Sequence, residues 1–434
     1  MHDQNFKSIV TAKLKTFHLT RKGFKVIRSL LYFTKNMFLI IFHMFWAVPL
    51  LVFLRLTKKR LRVALIDSAR IGHFVLHIMI AWKLIKNRKI NEIYIIGSIN
   101  NIICNEFWEK LVKRNFLVLK NAKYLQYWNY KLFKEPQVEY ILYGQDDSLC
   151  NIKDRPKFED DENAYAKNYL KTIGLSKNDK FVCVIARDSE YLDRYNYIKG
   201  RDWKYHNYRD VDISSYVPAL DWLTEQGVWV LRMGKIMRNE LDSKNPMIID
   251  YAFSRERNDF LDVWLFANCD FCISTGTGPD FISDFYKKPI LFLNFIPIAY
   301  IWHWSNATFV SKNLVWARHG NALSLKEQLI HNYAETQGYQ KRNIIINDLT
   351  PEEILMYVKS FWNHLNGKLM YTEKDKMMEE LFWKLYTKYG YKGEENEYSK
   401  LNNSWINPKA RPCSAWLNYK GEEFLSENHM ERSI

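Results

Sequence analysis

The chain has 434 residues and 52.1 kDa, with 47% hydrophobic and 26% charged residues, so it can bury sizeable cores and is not a disordered polymer. Its length asks for two or three domains, and a mean hydropathy of −0.34 without repeated apolar twenty-residue runs excludes a polytopic membrane protein. The net charge of +15 is concentrated at one end: residues 1–60 hold twelve Lys and Arg against Asp3 alone, so the body is close to balance and a nucleic-acid partner is not expected.

The segment 1–60 is basic and apolar. Phe6, Ile9, Val10, Leu14 and Phe17 recur at helical spacing among Lys7, Lys13 and Lys15, as in a helix lying on an anionic lipid surface. Residues 37–54 then run without a formal charge between Lys35 and the cluster Arg55, Lys58, Lys59 and Arg60. That is the minimum length for a span, and His43 and Pro49 subtract from the gain of insertion. Such a run also suits a helix buried on the protein body. The coincidence of apolar run and basic excess favours membrane contact, through residues 1–60, and leaves spanning or in-plane placement open.

From residue 61 the pattern alternates. Residues 61–67 predict a strand, 68–73 a loop, 74–86 an apolar helix and 91–98 a second strand, which together make a βαβ unit. A third strand is expected at 115–120. The polar, acidic stretch 145–164 suits a linker. Beyond it, strands are expected at 180–185, 228–234, 245–252, 270–274 and 289–294, with helices at 216–227, 259–269 and 281–288 between them. Thr350, Pro351 and Glu353 announce a helix to residue 365, followed by a mixed-charge helix and tail. The expected domains are therefore 1–60, a membrane-associating segment; 61–160 and 161–350, two α/β domains; and 351–434, helices and a polar tail. Crevices outside the carboxyl ends of such strands bind ligands.

Six scattered cysteines fit a reducing compartment. Cys269 and Cys272 form a CxxC inside an apolar run with no second pair, so packing is expected of them and not zinc.

Three strand ends carry the candidate chemistry. Ser274, Thr275, Gly276, Thr277 and Gly278 leave a strand ahead of Pro279, in the form of a phosphate cradle, and equally of an ordinary strand-to-helix turn. Neither a Walker loop nor GxGxxG is present. Arg187 and Asp188 leave an earlier strand, ahead of a polar and aromatic loop that includes Tyr195, Arg201, Tyr205, His206 and Arg209. Arg232 and Gly234 leave the next, with Asp262 opening a helix beside them. Two arginines and a Ser/Thr/Gly loop suggest a phosphorylated ligand.

Residues 181–294, with RDSEYL, HNYRDVDI, WVLRMG and NDFLDVWLFANCDFCISTGTG, resemble the donor domain of a bacterial family of surface-polysaccharide glycosyltransferases, and more distantly the fucosyltransferases. LIDSARIGHFVLHIMIAWKL resembles the first unit of that family and is similar in placement to the first loop of heptosyltransferases. The resemblance implies a GT-B architecture, two facing Rossmann-like domains with donor nucleotide on the C-terminal one and acceptor on the N-terminal one. It implies Arg187, Arg232, Gly234, Asp262 and Ser274–Gly278 at the donor, Asp188 beside Arg187, and Gly72 and His73 at the acceptor side. His73 would be the general base or would only cap and pack its helix. No DxD stands where a metal-dependent GT-A enzyme would need one, so no metal or resident cofactor is expected. The activity implied is transfer of a sugar from a nucleotide-sugar donor to a cell-surface glycan or lipid-linked acceptor at the cytoplasmic face of the inner membrane. The rival readings are pyruvyl transfer on the same fold and a non-catalytic membrane-peripheral scaffold.

Overall fold

The computed structural model describes residues 30–31, 33–99, 101–138, 154–194, 202–300, 306–390 and 410–427. The helix expected around Phe6–Phe17, residues 145–153 of the expected linker, Tyr195 and Arg201 lie outside the described residues.

The described elements begin with α1 (Phe33–Leu56), β1 (Arg60–Ile66), α2 (Ile71–Lys86) and β2 (Glu92–Ser98). Helix α2 begins three residues before the apolar run suggested, so Gly72 and His73 lie in its first turn and not in a loop. Next come α3 (Glu106–Asn115), capped by Asn105, and α4 (Ala122–Phe133). In place of the third strand expected at 115–120 there is a single bridge from Val118 to Ile96. The acidic stretch read as linker ends in α5 (Asp160–Thr172), where Glu159 and Glu162 form a capping box.

The second α/β series follows as β3 (Lys180–Ile185), α6 (Glu190–Arg194), α7 (Val217–Glu225), β4 (Val228–Arg232), β5 (Ile248–Ile249), α8 (Asp259–Asn268), β6 (Phe271–Ser274), α9 (Asp280–Phe285) and β7 (Ile290–Phe295). Gly227, at φ +77°, ends α7 as its residue type suggests. Further on lie β8 (Ala307–Ser311), β9 (Asn313–Trp316), α10 (Leu325–Ile330), α11 (Thr336–Lys341) and β10 (Ile344–Asn347). The chain then forms α12 (Pro351–Leu365), α13 (Glu373–Tyr389), β11 (Ala410–Pro412) and α14 (Ser414–Phe424). Thr350 caps α12 through the capping box its sequence announced.

Two compact units result. The first takes the described residues of Met1–Leu65, Arg88–Ile99 and Leu117–Val138. Here β1 and β2 pair, and Leu61, Val63, Leu65 and Ile95 pack with Ala47 and Leu51 of α1 and with Ala122 and Leu125 of α4. Buried Glu135 gathers Arg55 and Arg60 at 2.6 and 2.8 Å.

The second unit takes Ile66–Asn87, Asn100–Phe116 and the described residues of Glu139–Ile434. Its sheet runs β11-β8-β7-β6-β3-β4-β5, and every pairing in it is parallel. From β3 the chain proceeds outward to β4 and β5, then returns to the other side of β3 for β6, β7 and β8. This is the doubly wound order, with its reversal between β3 and β6. Ile185 at the end of β3 stands opposite Ser274 at the end of β6. Strand β7 is buried throughout, as expected of a strand covered on both faces. Cys269 and Cys272 are wholly buried, with Cys183 opposite Cys272 in the ladder.

Candidate functional site

A cavity of about 590 Å³ opens at the carboxyl ends of β3, β4, β6 and β7, over the point where the strand order reverses. All the residues that line it belong to the second unit. The wall includes the first turn of α2 with Gly72 and His73, the β3 exit with Arg187 and Asp188, Gly234 after β4, Asp262 on α8 and the loop Gly276–Gly278. The structure thus gathers most of the residues singled out in the sequence.

Arg187 is fixed by its backbone. Its N–H donates to Thr275 Oγ1 at 3.0 Å, and its carbonyl accepts from Val211 N at 3.0 Å. Its guanidinium lies 3.2 Å from Asp210 Oδ1, yet the buried Nη2 has no hydrogen-bond partner among the described residues. Burial, and then the neighbouring Arg209, draw its pKa down to about 10. It remains charged at neutral pH, beside a second cation. Burial also raises Asp210 to about 6 despite Arg187, so this carboxylate does not balance the two guanidiniums fully.

The Ser274–Gly278 loop is organised differently from a phosphate cradle. Ser274 Oγ donates to Asp280 Oδ2 at 2.6 Å and accepts from Gly276 N at 3.1 Å and Thr277 N at 3.5 Å. Those two amides therefore turn inward, and Ser274 and Thr275 are buried behind the loop. The glycines answer to backbone demands. Gly276 has φ +74°, and a Cβ there would come 2.6 Å from the Phe295 ring. A Cβ on Gly278 would come 2.8 Å from Gly72 N, because the loop and the first turn of α2 touch backbone to backbone.

His73 faces the cavity with Nε2 3.0 Å from Arg70 Nη2. A guanidinium only donates, so Nε2 accepts and the ring proton sits on Nδ1. Burial, and then Arg70, hold its pKa near 3. The imidazole is neutral at physiological pH, and its lone pair is occupied.

Arg232 does not join this group. It is 1% exposed, ion-paired with Asp250 at 3.0 Å, and donates to the Asn239 carbonyl at 3.0 Å. Nor is Asp188 open: its two oxygens accept from Glu190 N and Arg238 N, both at 3.0 Å. Asp262 lines the cavity and pairs with Arg257 at 3.0 Å, while burial raises its carboxyl to about 6.

Sequence reasoning missed three cations in the wall. Arg70 and Lys235 lie there, the latter bonded to Asp259 at 3.0 Å and the Cys104 carbonyl at 2.8 Å. Arg209 had been noted only as a loop residue. Its guanidinium donates to the Gly276 carbonyl, bridging the β3 and β6 exits, and its Nε is buried without a hydrogen-bond partner among the described residues.

No family model matches the chain, and no curated protein does. Among solved structures it is similar to a glycosyl transferase family 9 protein from Veillonella parvula, at 11% identity over 58% of this chain and 86% of that one, with a TM-score of 0.41. Similarity to E. coli ADP-heptose LPS heptosyltransferase II is 10% over 70% and 99%, with a TM-score of 0.39. To the wall teichoic acid polymerase TagF it is 13% over 55% and 70%, with a TM-score of 0.23.

Proposed function

We propose that the chain is a glycosyltransferase that moves a sugar from a nucleotide-sugar donor to a cell-surface glycan or lipid-linked acceptor, at the cytoplasmic face of a membrane. The observation that carries this reading is Arg187: a buried cation with an unpartnered Nη2, beside Arg209, in a cavity at the reversal of a doubly wound sheet. Two such guanidiniums call for an anion with several oxygens, and a diphosphate answers that geometry. As the donor's glycosidic bond breaks, the same pair would stabilise the charge left on the diphosphate. They would do this without a divalent cation. Tyr205, His206 and Tyr208 in the wall offer flat surfaces for a base or sugar.

For His73 to take a proton from an acceptor hydroxyl, Arg70 has to leave Nε2. A bound diphosphate would give Arg70 a stronger partner, and losing that cation's influence would raise the His73 pKa. Donor binding would then prepare the base.

Calorimetric titration of the full chain with ADP, GDP, UDP and CDP, set against the nucleosides and inorganic phosphate, tests the proposal. At least one diphosphate should bind, and Arg187→Ala should weaken it tenfold or more, about 1.4 kcal/mol, without lowering Tm. Equal binding of nucleoside and diphosphate, or an unaffected Arg187→Ala variant, would overturn it.

A further inference from the structure

The face that α1 presents outward has a chemistry the catalytic cavity does not explain. Along the helix, Asn36, Ile40, His43, Ala47, Leu51 and Leu54 fall on one side at helical spacing, and the most buried positions, Ala47 and Leu51, belong to this stripe. The stripe is part of the first unit's own core. Trp128 Nε1 donates to the Ile40 carbonyl at 3.0 Å, the His43 and Tyr124 rings stack at 4.6 Å, and Arg55 pairs with Glu135. Opposite it stand Phe38, Ile41, Phe42, Phe45, Phe53 and Leu56, all exposed, with Phe45 at 72% and Leu56 at 78%.

We infer that α1 lies in the plane of an anionic bilayer, its outer face sunk in one leaflet and its inner stripe kept on the protein, and that it does not cross the membrane. The inference rests on the membrane contact proposed above and gives that contact a geometry. Two arguments carry it. The contacts from Ile40 to Arg55 span fifteen residues, roughly 22 Å of helix, so nearly the whole apolar segment is escorted by α4 and β1. If α1 crossed the bilayer, Lys123 and Lys131 of α4, Lys134 just after it and the backbone of a two-stranded sheet would enter hydrocarbon. The second argument is charge. The described residues of the first unit hold twelve Lys and Arg against Glu92 and Glu135, and Glu135 is already committed to arginines. On α4, exposed Tyr127 and Tyr130 carry Lys131 and Lys134 over their rings, a combination suited to the headgroup layer.

Two measurements on the full chain separate contact from geometry. In cosedimentation with phosphatidylglycerol/phosphatidylcholine vesicles, Phe38→Asp/Phe45→Asp should lower the bound fraction at least tenfold at unchanged Tm, and pure phosphatidylcholine should bind the unaltered chain weakly. Unchanged cosedimentation of a folded double variant overturns the contact. In sealed inside-out membrane vesicles, epitope tags at both termini should be open to protease without detergent. An amino-terminal tag protected until detergent is added overturns the in-plane geometry, and this readout needs no variant. Association through a second copy would appear as a lipid-independent dimer lost in the double variant, and it too would overturn the inference.

Discussion

Arg187 and Arg232 look alike in the sequence, each leaving a strand, yet they sit in opposite circumstances. Arg232 has both terminal nitrogens matched, to Asp250 and to a carbonyl, and leaves only Nε without a hydrogen-bond partner among the described residues, whereas Arg187 crowds Arg209 and leaves a terminal nitrogen, Nη2, unpartnered. Removing Arg232 leaves the half-buried Asp250 without its cation, so Arg232→Ala should cost about 1.5–3 kcal/mol in chemical denaturation, while diphosphate affinity per folded molecule stays constant. A loss of affinity at unchanged stability would return Arg232 to the site. The sequence could place both residues at strand ends, because alternation of strand and helix sets where strands stop. It could not distinguish them, since the difference lies in Asp250, eighteen residues on from Arg232, and in Arg209 reaching across to the β6 exit. Glycines 72, 276 and 278 were legible as special and misleading about why. Their requirement comes from a left-handed turn and a meeting of two backbones, which only the folded chain brings together.

At the scale of elements, strongly patterned segments were legible and weak ones were not. Helix α12 announced itself through Thr350, Pro351 and Glu353, and β3, β6 and β7 through apolar runs between turn residues. The acidic stretch before α5 looked like a linker because its charges have no partner in sequence. In the fold they do: Glu162 receives Arg114 at 2.5 Å and Lys110 at 3.1 Å, both from α3. Hydrogen bonds from Arg114, above all, hold the Glu162 carboxyl near a pKa of about 2, below its usual value. A carboxylate with a lowered folded pKa stabilises at pH above its unfolded value, near 4.5, and loses that contribution as pH falls toward 2. Glu162→Gln should accordingly cost about 1.5–3 kcal/mol at pH 7, and the gap to the unaltered chain should close between pH 4.5 and 2. A gap that persists at pH 2 would show that packing, and not the charge, is what Glu162 supplies.

For the molecule as a whole, acid should act chiefly through α2. His73 and His77 are both held near a pKa of 3 by burial, against 6.5 when exposed. Below pH 6.5 the unfolded chain takes up protons that the folded chain refuses until pH 3, so stability falls through that window by about 1.4 kcal/mol per pH unit for each histidine. His77→Gln, which can still accept from Asp67 N, should flatten the dependence of urea midpoint on pH between 6.5 and 4. An unaltered slope would remove His77 from that account. Another feature of the whole concerns time. Strand β11 completes the large sheet on the outer edge of β8, yet it comes from residues 410–412, long after β8 at 307–311. During synthesis the β8 edge therefore stands open while α10, α12 and α13 are made, an unpaired ladder available to any other strand. Completion of the sheet waits on the emergence of Pro412, so a nascent chain arrested upstream of Ala410 would hold its other six strands in order and still present an adhesive edge.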